Sequence, residues 1–93
     1  MRAYLVDDEA LALRRLRRLL DDTGRIDVVG QATDPAQAVR ELRRLQPDVL
    51  FLDIEMPGLS GFDLLDRLGD AQPLVVFVTA YDRYALEAFK VNS

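Results

Sequence analysis

Short apolar runs alternate with longer stretches in which apolar residues recur every three or four positions, and this alternation runs the length of the chain. "RAYLV" at 2–6 predicts a first strand. Residues 9–22 predict the following helix, with Leu13, Leu16 and Leu20 at helical spacing and arginines on the other side. "IDVVGQA" at 26–32 predicts the second strand. Asp34-Pro35 then has the form of an N-cap followed by proline at the first helical position, opening a helix whose Ala38, Leu42 and Leu45 line one face. "DVLFLD" at 48–53 is apolar almost throughout, as a strand covered on both faces should be. Met56-Pro57-Gly58 predicts a turn, and Ser60 with Asp63 resembles a capping box for a third helix using Phe62, Leu65 and Leu68. "LVVFV" at 74–78 is the fourth predicted strand and runs into Thr79. Beyond it Tyr81, Tyr84, Ala85, Ala88 and Phe89 predict an amphipathic fourth helix ending near Lys90.

Strands alternating with amphipathic helices are the pattern of repeated βα units around a parallel sheet, so the fold class is α/β. A chain of 93 residues supports one core and one domain. Hydrophobic residues at 49% and charged residues at 30% describe an ordinary packed domain. The sequence contains no cysteine and no histidine, which excludes disulfides, thiolate metal sites, imidazole bases and zinc-type ligation. Any chemistry must run on oxygen ligands. The net charge is −4: residues 1–50 carry nine basic and nine acidic side chains, residues 51–93 three and seven. There is no global basic signature for nucleic acid. The longest apolar runs fall far short of the ~20 residues of a membrane span, and a cytoplasmic location is expected.

In a doubly wound sheet the carboxyl ends of the parallel strands share one edge, and ligands bind there where the strand order reverses. Asp7 and Asp8 follow the first strand, Asp53 ends the third and Thr79 ends the fourth. With strand order 2-1-3-4, Asp7, Asp8 and Asp53 converge. Like charges that close repel unless a cation cancels them, and an all-oxygen, open site suits magnesium. For Asp7-Asp8-Glu9 alone there is a second reading, in which the acids simply begin a helix whose dipole favours negative charge. Asp53 at the same edge favours the cation. A carboxylate beside magnesium can also act as a nucleophile toward a phosphoryl group. The hydroxyl of Thr79 would then donate a hydrogen bond to a phosphoryl oxygen.

These residues together resemble the receiver domain of bacterial two-component response regulators. "LVDDE" is similar to the family's acid pair after the first strand, "FLDIEMPGLSG" to its phosphoacceptor segment, and "VFVTA" to its fourth strand with the switch hydroxyl, in the family's order. The wording "DDEALALRRLRRLL" and "VTAYDRYALEAF" further resembles receivers attached to LytTR-type DNA-binding domains. The resemblance implies a flavodoxin-like doubly wound parallel sheet over residues 1–93, and a phosphoprotein whose Asp53 accepts a phosphoryl group from a sensor histidine kinase. It also implies magnesium held by Asp8 and Asp53 directly, by Asp7 mainly through water, and by the backbone carbonyl of Glu55. Thr79 would sense the phosphoryl group and couple it to the surface of the fourth helix. The output, transcription regulation through DNA, would belong to a domain outside this sequence. No turnover on an external substrate is implied.

A complete receiver continues into a fifth strand ending in a lysine and a fifth helix, and neither is found in these residues. Lys90 is not that lysine, because it falls in the predicted fourth helix. The expectation is a receiver incomplete at its C-terminus, a piece of a larger regulator. "LVVFVTA" would then be an apolar edge that invites self-association through the fourth strand or fourth helix, giving a dimer. Two other readings compete. Asp53-Ile54-Glu55 could serve an aspartate-based phosphatase, but the acid pair lies upstream and the second acid is a glutamate. The fold could also act as an interaction module that is never phosphorylated. The arginines at 14, 15, 17, 18, 40, 43 and 44 read as solvated helix faces offset by Asp21, Asp22 and Glu41. The resemblance implies that the first helix also helps dock the kinase.

Overall fold

The structure is a computed structural model that describes residues 1–54 and 61–78. The elements are β1 (Arg2–Val6), α1 (Ala10–Thr23), β2 (Asp27–Ala32), α2 (Pro35–Leu45), β3 (Val49–Asp53), α3 (Gly61–Leu68), a short 3-10 turn (Gly69–Ala71) and β4 (Leu74–Val78). The strands form a parallel sheet in the order β2-β1-β3-β4. The doubly wound 2-1-3-4 order read from the sequence is therefore observed, with the reversal of winding between β1 and β3. The predicted fourth helix, Lys90 and the turn at Met56-Pro57-Gly58 lie outside the described residues.

Alternation along β1 divides the core. Tyr4 and Val6 point to one face, where they join Leu50 and Leu52 of β3, Ala38 and Leu42 of α2, and Leu64 and Leu68 of α3. Leu5 points to the other face and packs with Leu13 and Leu20 of α1, with Leu16, Ile26, Val28 and Phe51 around them. Burial of both faces is what makes residues 3–6 of β1 and 49–52 of β3 so apolar. Each leucine buried here contributes about 1.5–3 kcal/mol from area removed from water.

Helix boundaries follow from local chemistry. Asp34 is extended and its carboxylate accepts the Gln37 N–H at 3.2 Å, with Pro35 beginning the helix, as its sequence predicts. α1 ends where Gly24, at φ 68°, turns left-handed and its N–H reaches the Asp21 carbonyl. At the third helix the expected apolar face is corrected. Phe62 is 57% exposed and Leu65 only half-buried, whereas Leu64 and Leu68 are in the core. Both sets are helically spaced, and the helix is rotated so that Gly61, Leu64 and Leu68 face the sheet. Phe62 instead meets Phe77 of β4 across the surface, ring centroids 5.3 Å apart. The capping box expected from Ser60 falls on a residue outside those described.

A bulge sits in the β1–β2 pairing: Ala3 faces Val28 but Tyr4 faces Gly30, so β2 carries one extra residue. The shift places a glycine under the Tyr4 ring, where a Cβ would lie 2.7 Å from Tyr4 Cε2. The buried Tyr4 ring thereby lies across β2 and its hydroxyl donates to Glu41 Oε2 at 2.8 Å. Burial, then the Glu41 hydrogen bond, pushes the Tyr4 hydroxyl above its ordinary value, and the same bond holds Glu41 below its own.

Candidate metal and phosphoacceptor site

β1 and β3 are adjacent and in register, Val6 beside Leu52, so the residues that follow them emerge side by side at the carboxyl edge. Asp7 and Asp8 come off β1, and Asp53 ends β3 next to Val78 of β4. One carboxylate oxygen from each of Asp7, Asp8 and Asp53 lies within 4.8 Å of the others. Asp53 is 7% exposed, the one buried charged residue among those described, while Asp7 and Asp8 are half-buried.

The backbone locks this arrangement from below. The Asp7 N–H donates to the Ala32 carbonyl at the end of β2, which fixes where β1 stops. The Asp7 carboxylate accepts the Glu9 N–H at 2.9 Å, an Asx turn that carries the chain from the sheet into α1. Glu9 is the N-cap residue of α1 but makes no side-chain capping bond, and the first turn of α1 carries no acid. Asp7 and Asp8 thus precede the helix and are gathered with Asp53, which favours the cation reading over a helix-dipole role.

Electrostatics point the same way. Burial pushes the Asp7 carboxyl up to about 6; the Glu9 N–H pulls against this, and the Asp53 charge and the Asp8 carboxyl push with it. Three carboxylates this close repel one another, and a cation would offset that repulsion. The donor set is all oxygen, hard and partly open, which fits magnesium. The residues present therefore fit such an ion: Asp7, Asp8 and Asp53 would hold it. Thr79 and Glu55, singled out from the sequence, lie outside the described residues.

One residue of this neighbourhood carried no signal in the spacing of acids. Gly61 is buried at the start of α3, and a Cβ there would stand 3.1 Å from the Asp53 carbonyl oxygen and 3.2 Å from Leu52 Cδ2. Its N–H donates to the Ile54 carbonyl at 3.2 Å. A glycine immediately before an apolar helix face, just after the acid-bearing strand, was the available clue.

A buried strand-end carboxylate beside an acid pair, at the switch point of a 2-1-3-4 parallel sheet, defines a receiver-type signalling domain. The response regulator receiver domain family matches residues 3–93, and the chain belongs to that family. It is 48% identical over 92 residues to an uncharacterized response regulatory protein of Vibrio cholerae, covering 98% of this chain and 39% of that protein. It is 40% identical over 94 residues to the transcriptional regulatory protein BtsR of Escherichia coli, covering 100% of this chain and again 39% of the relative. The chain spans about two fifths of the length of these curated relatives. Among solved structures it resembles the response regulator domain of Thermotoga maritima CheB, with TM-score 0.77, 33% identity and coverage of 97% of this chain and 71% of that one. It also resembles the response regulatory domain of mrkE from Klebsiella pneumoniae, with TM-score 0.75, 32% identity and coverage of 100% and 78%. No helix among the described residues is long and apolar enough to cross a membrane.

Proposed function

We propose that Asp53 is the phosphoacceptor of a magnesium-dependent receiver, and that the observation carrying this reading is the meeting of Asp7, Asp8 and Asp53 within 4.8 Å at the sheet edge. The Asp53 carboxylate attacks the phosphorus of a phosphohistidine on a sensor kinase. An O–P bond forms at Asp53, the N–P bond breaks, and the departing imidazole takes up a proton. Magnesium, when bound, supplies positive charge to the transferred oxygens. Asp7, Asp8 and Asp53, with the backbone carbonyl of Glu55, would hold the ion. β1 and β3, buried on both faces, keep the nucleophile from moving away. Thr79 would hydrogen-bond the phosphoryl group and relay its presence to the predicted fourth helix.

The reading extends to a cytoplasmic regulator whose output domain, of LytTR type on the wording of the sequence, binds DNA. The description of BtsR as a transcriptional regulator supports an output in transcription. On this reading residues 1–93 belong to the receiver. Self-association through β4 or the predicted fourth helix is part of the same proposal, with Leu74 at 62% and Phe77 at 37% exposure supporting the β4 route. A monomer mass unchanged at high concentration in light scattering would remove that part alone.

Intact-mass analysis after incubation with magnesium and a small acyl phosphate tests the main claim. A single phosphoryl adduct, absent without magnesium and absent in Asp53→Asn, is expected. An adduct retained in Asp53→Asn would overturn the assignment. No adduct on the full-length regulator would leave an interaction module, and steady turnover of a phosphoester would indicate a phosphatase.

A further inference from the structure

Gly61, at the start of α3, lies close against the backbone of the phosphoacceptor from outside its own sheet. Its missing side chain has no solvent to point into. A methyl there would meet the Asp53 carbonyl at 3.1 Å, Leu52 Cδ2 at 3.2 Å and Leu52 Cγ at 3.3 Å, all tighter than ordinary van der Waals contact. None of these neighbours gives way easily. β3 is held on both sides, by β1 and by β4, and Leu52 is fully buried. The Gly61 N–H is bonded to the carbonyl of Ile54, the residue after Asp53, so the start of α3 is tied to the chain just beyond the nucleophile.

We propose that Gly61 is a positioning residue for Asp53: by lacking a Cβ it lets the start of α3 rest on the Asp53 carbonyl, and this contact sets the carboxylate where Asp7 and Asp8 meet it. The inference rests on the reading of Asp53 as phosphoacceptor and adds a residue that neither touches the phosphoryl group nor binds the cation. Of the three nearest atoms that a methyl would meet, two belong to the Leu52 side chain and one to the Asp53 backbone. Removing the Leu52 contacts separates them.

The test is a double-mutant cycle of Gly61→Ala and Leu52→Ala on the full-length regulator. Gly30→Ala, a tight glycine substitution against Tyr4 on β2, serves as control. An excluded osmolyte is added to keep every variant folded, as judged by circular dichroism. The readouts are the rate of phosphoryl adduct formation at saturating magnesium, and the magnesium affinity. Gly61→Ala is expected to slow adduct formation at least about tenfold, since small misplacements of a reacting group carry penalties of that order. The same loss is expected in the Leu52→Ala background, where the carbonyl contact remains without those of Leu52 Cδ2 and Cγ, while Gly30→Ala lowers the melting temperature and leaves the rate of folded protein unchanged. A Gly61→Ala rate equal to that of its parent in the Leu52→Ala background, or a loss matched by Gly30→Ala, would overturn the inference. If the wild type forms no adduct at all, the phosphoacceptor reading fails first, and magnesium affinity decides the positioning role: weakened by Gly61→Ala alone it stands, unchanged it falls.

Discussion

The two edges of the sheet treat charge in opposite ways. At the amino edge Arg2 and Asp48 each meet a partner of opposite character. The Arg2 guanidinium donates to the Leu45 and Gln46 carbonyls at 2.9 and 3.3 Å, closing the end of α2, and the Asp48 carboxylate accepts the Arg2 N–H at 2.7 Å. A cation beside a helix C-terminus and a carboxylate on a backbone donor are both favourable. At the carboxyl edge the same chain gathers three carboxylates within 4.8 Å and buries one of them. The amino edge sets charges against opposite charges and dipoles; the carboxyl edge brings like charges together. Such a division is expected where one end of an α/β sheet holds the site and the other holds the structure.

The largest effect should come from removing a charge at the carboxyl edge. Asp7 binds its proton more tightly in the folded chain, with its pKa raised from 3.8 to about 6. A raised carboxyl favours folding at low pH, and that contribution is lost as pH climbs through this window. Without divalent cation, the wild type should therefore lose stability relative to Asp7→Asn between pH 4 and pH 6, and above pH 6 Asp7→Asn should melt higher. Thermal unfolding of the two proteins across that range in a chelating buffer measures it; parallel pH profiles would refute the electrostatic cost.

A paired polar group should behave otherwise. Tyr4→Phe removes the hydroxyl that Glu41 accepts and leaves the buried ring in place. A loss of about 1 kcal/mol is expected, seen as a fall of about 4–8 °C in melting temperature, with phosphorylation unchanged. Arg2→Ala, at the exposed amino edge, should cost less, about 0.5 kcal/mol, and likewise leave adduct formation untouched. If either variant slowed phosphorylation while the protein stayed folded, the separation between the two edges would fail.

Most of this architecture was legible in the chain. Apolar runs as unbroken as "VLFL" report burial on both faces, which only a central parallel strand needs, and that places Asp53 at an edge beside Asp7 and Asp8. Asp34-Pro35 marked the start of α2 because capping is a local matter of one side chain and one N–H. The third helix was misread at Phe62 because Phe62, Leu65 and Leu68 have the same period as Gly61, Leu64 and Leu68. Periodicity gives a helix's face only up to rotation, and the contact of Gly61 with β3 sets that rotation. The bulge that seats Tyr4 over Gly30 left a glycine inside a strand pattern as its trace, and its consequence depends on pairing between β1 and β2 that no local window contains.

The most direct measurement is a magnesium titration followed by thermal unfolding at pH 7.5, on the wild type and on Asp8→Asn and Asp53→Asn. If the carboxyl edge is a cation site, magnesium raises the wild-type melting temperature; a concentration of a hundred times the dissociation constant contributes about 2.7 kcal/mol, a shift of many degrees for a domain of this size. Both variants should show a much smaller rise. A wild type indifferent to magnesium, or a rise of equal size in all three proteins, would contradict the account.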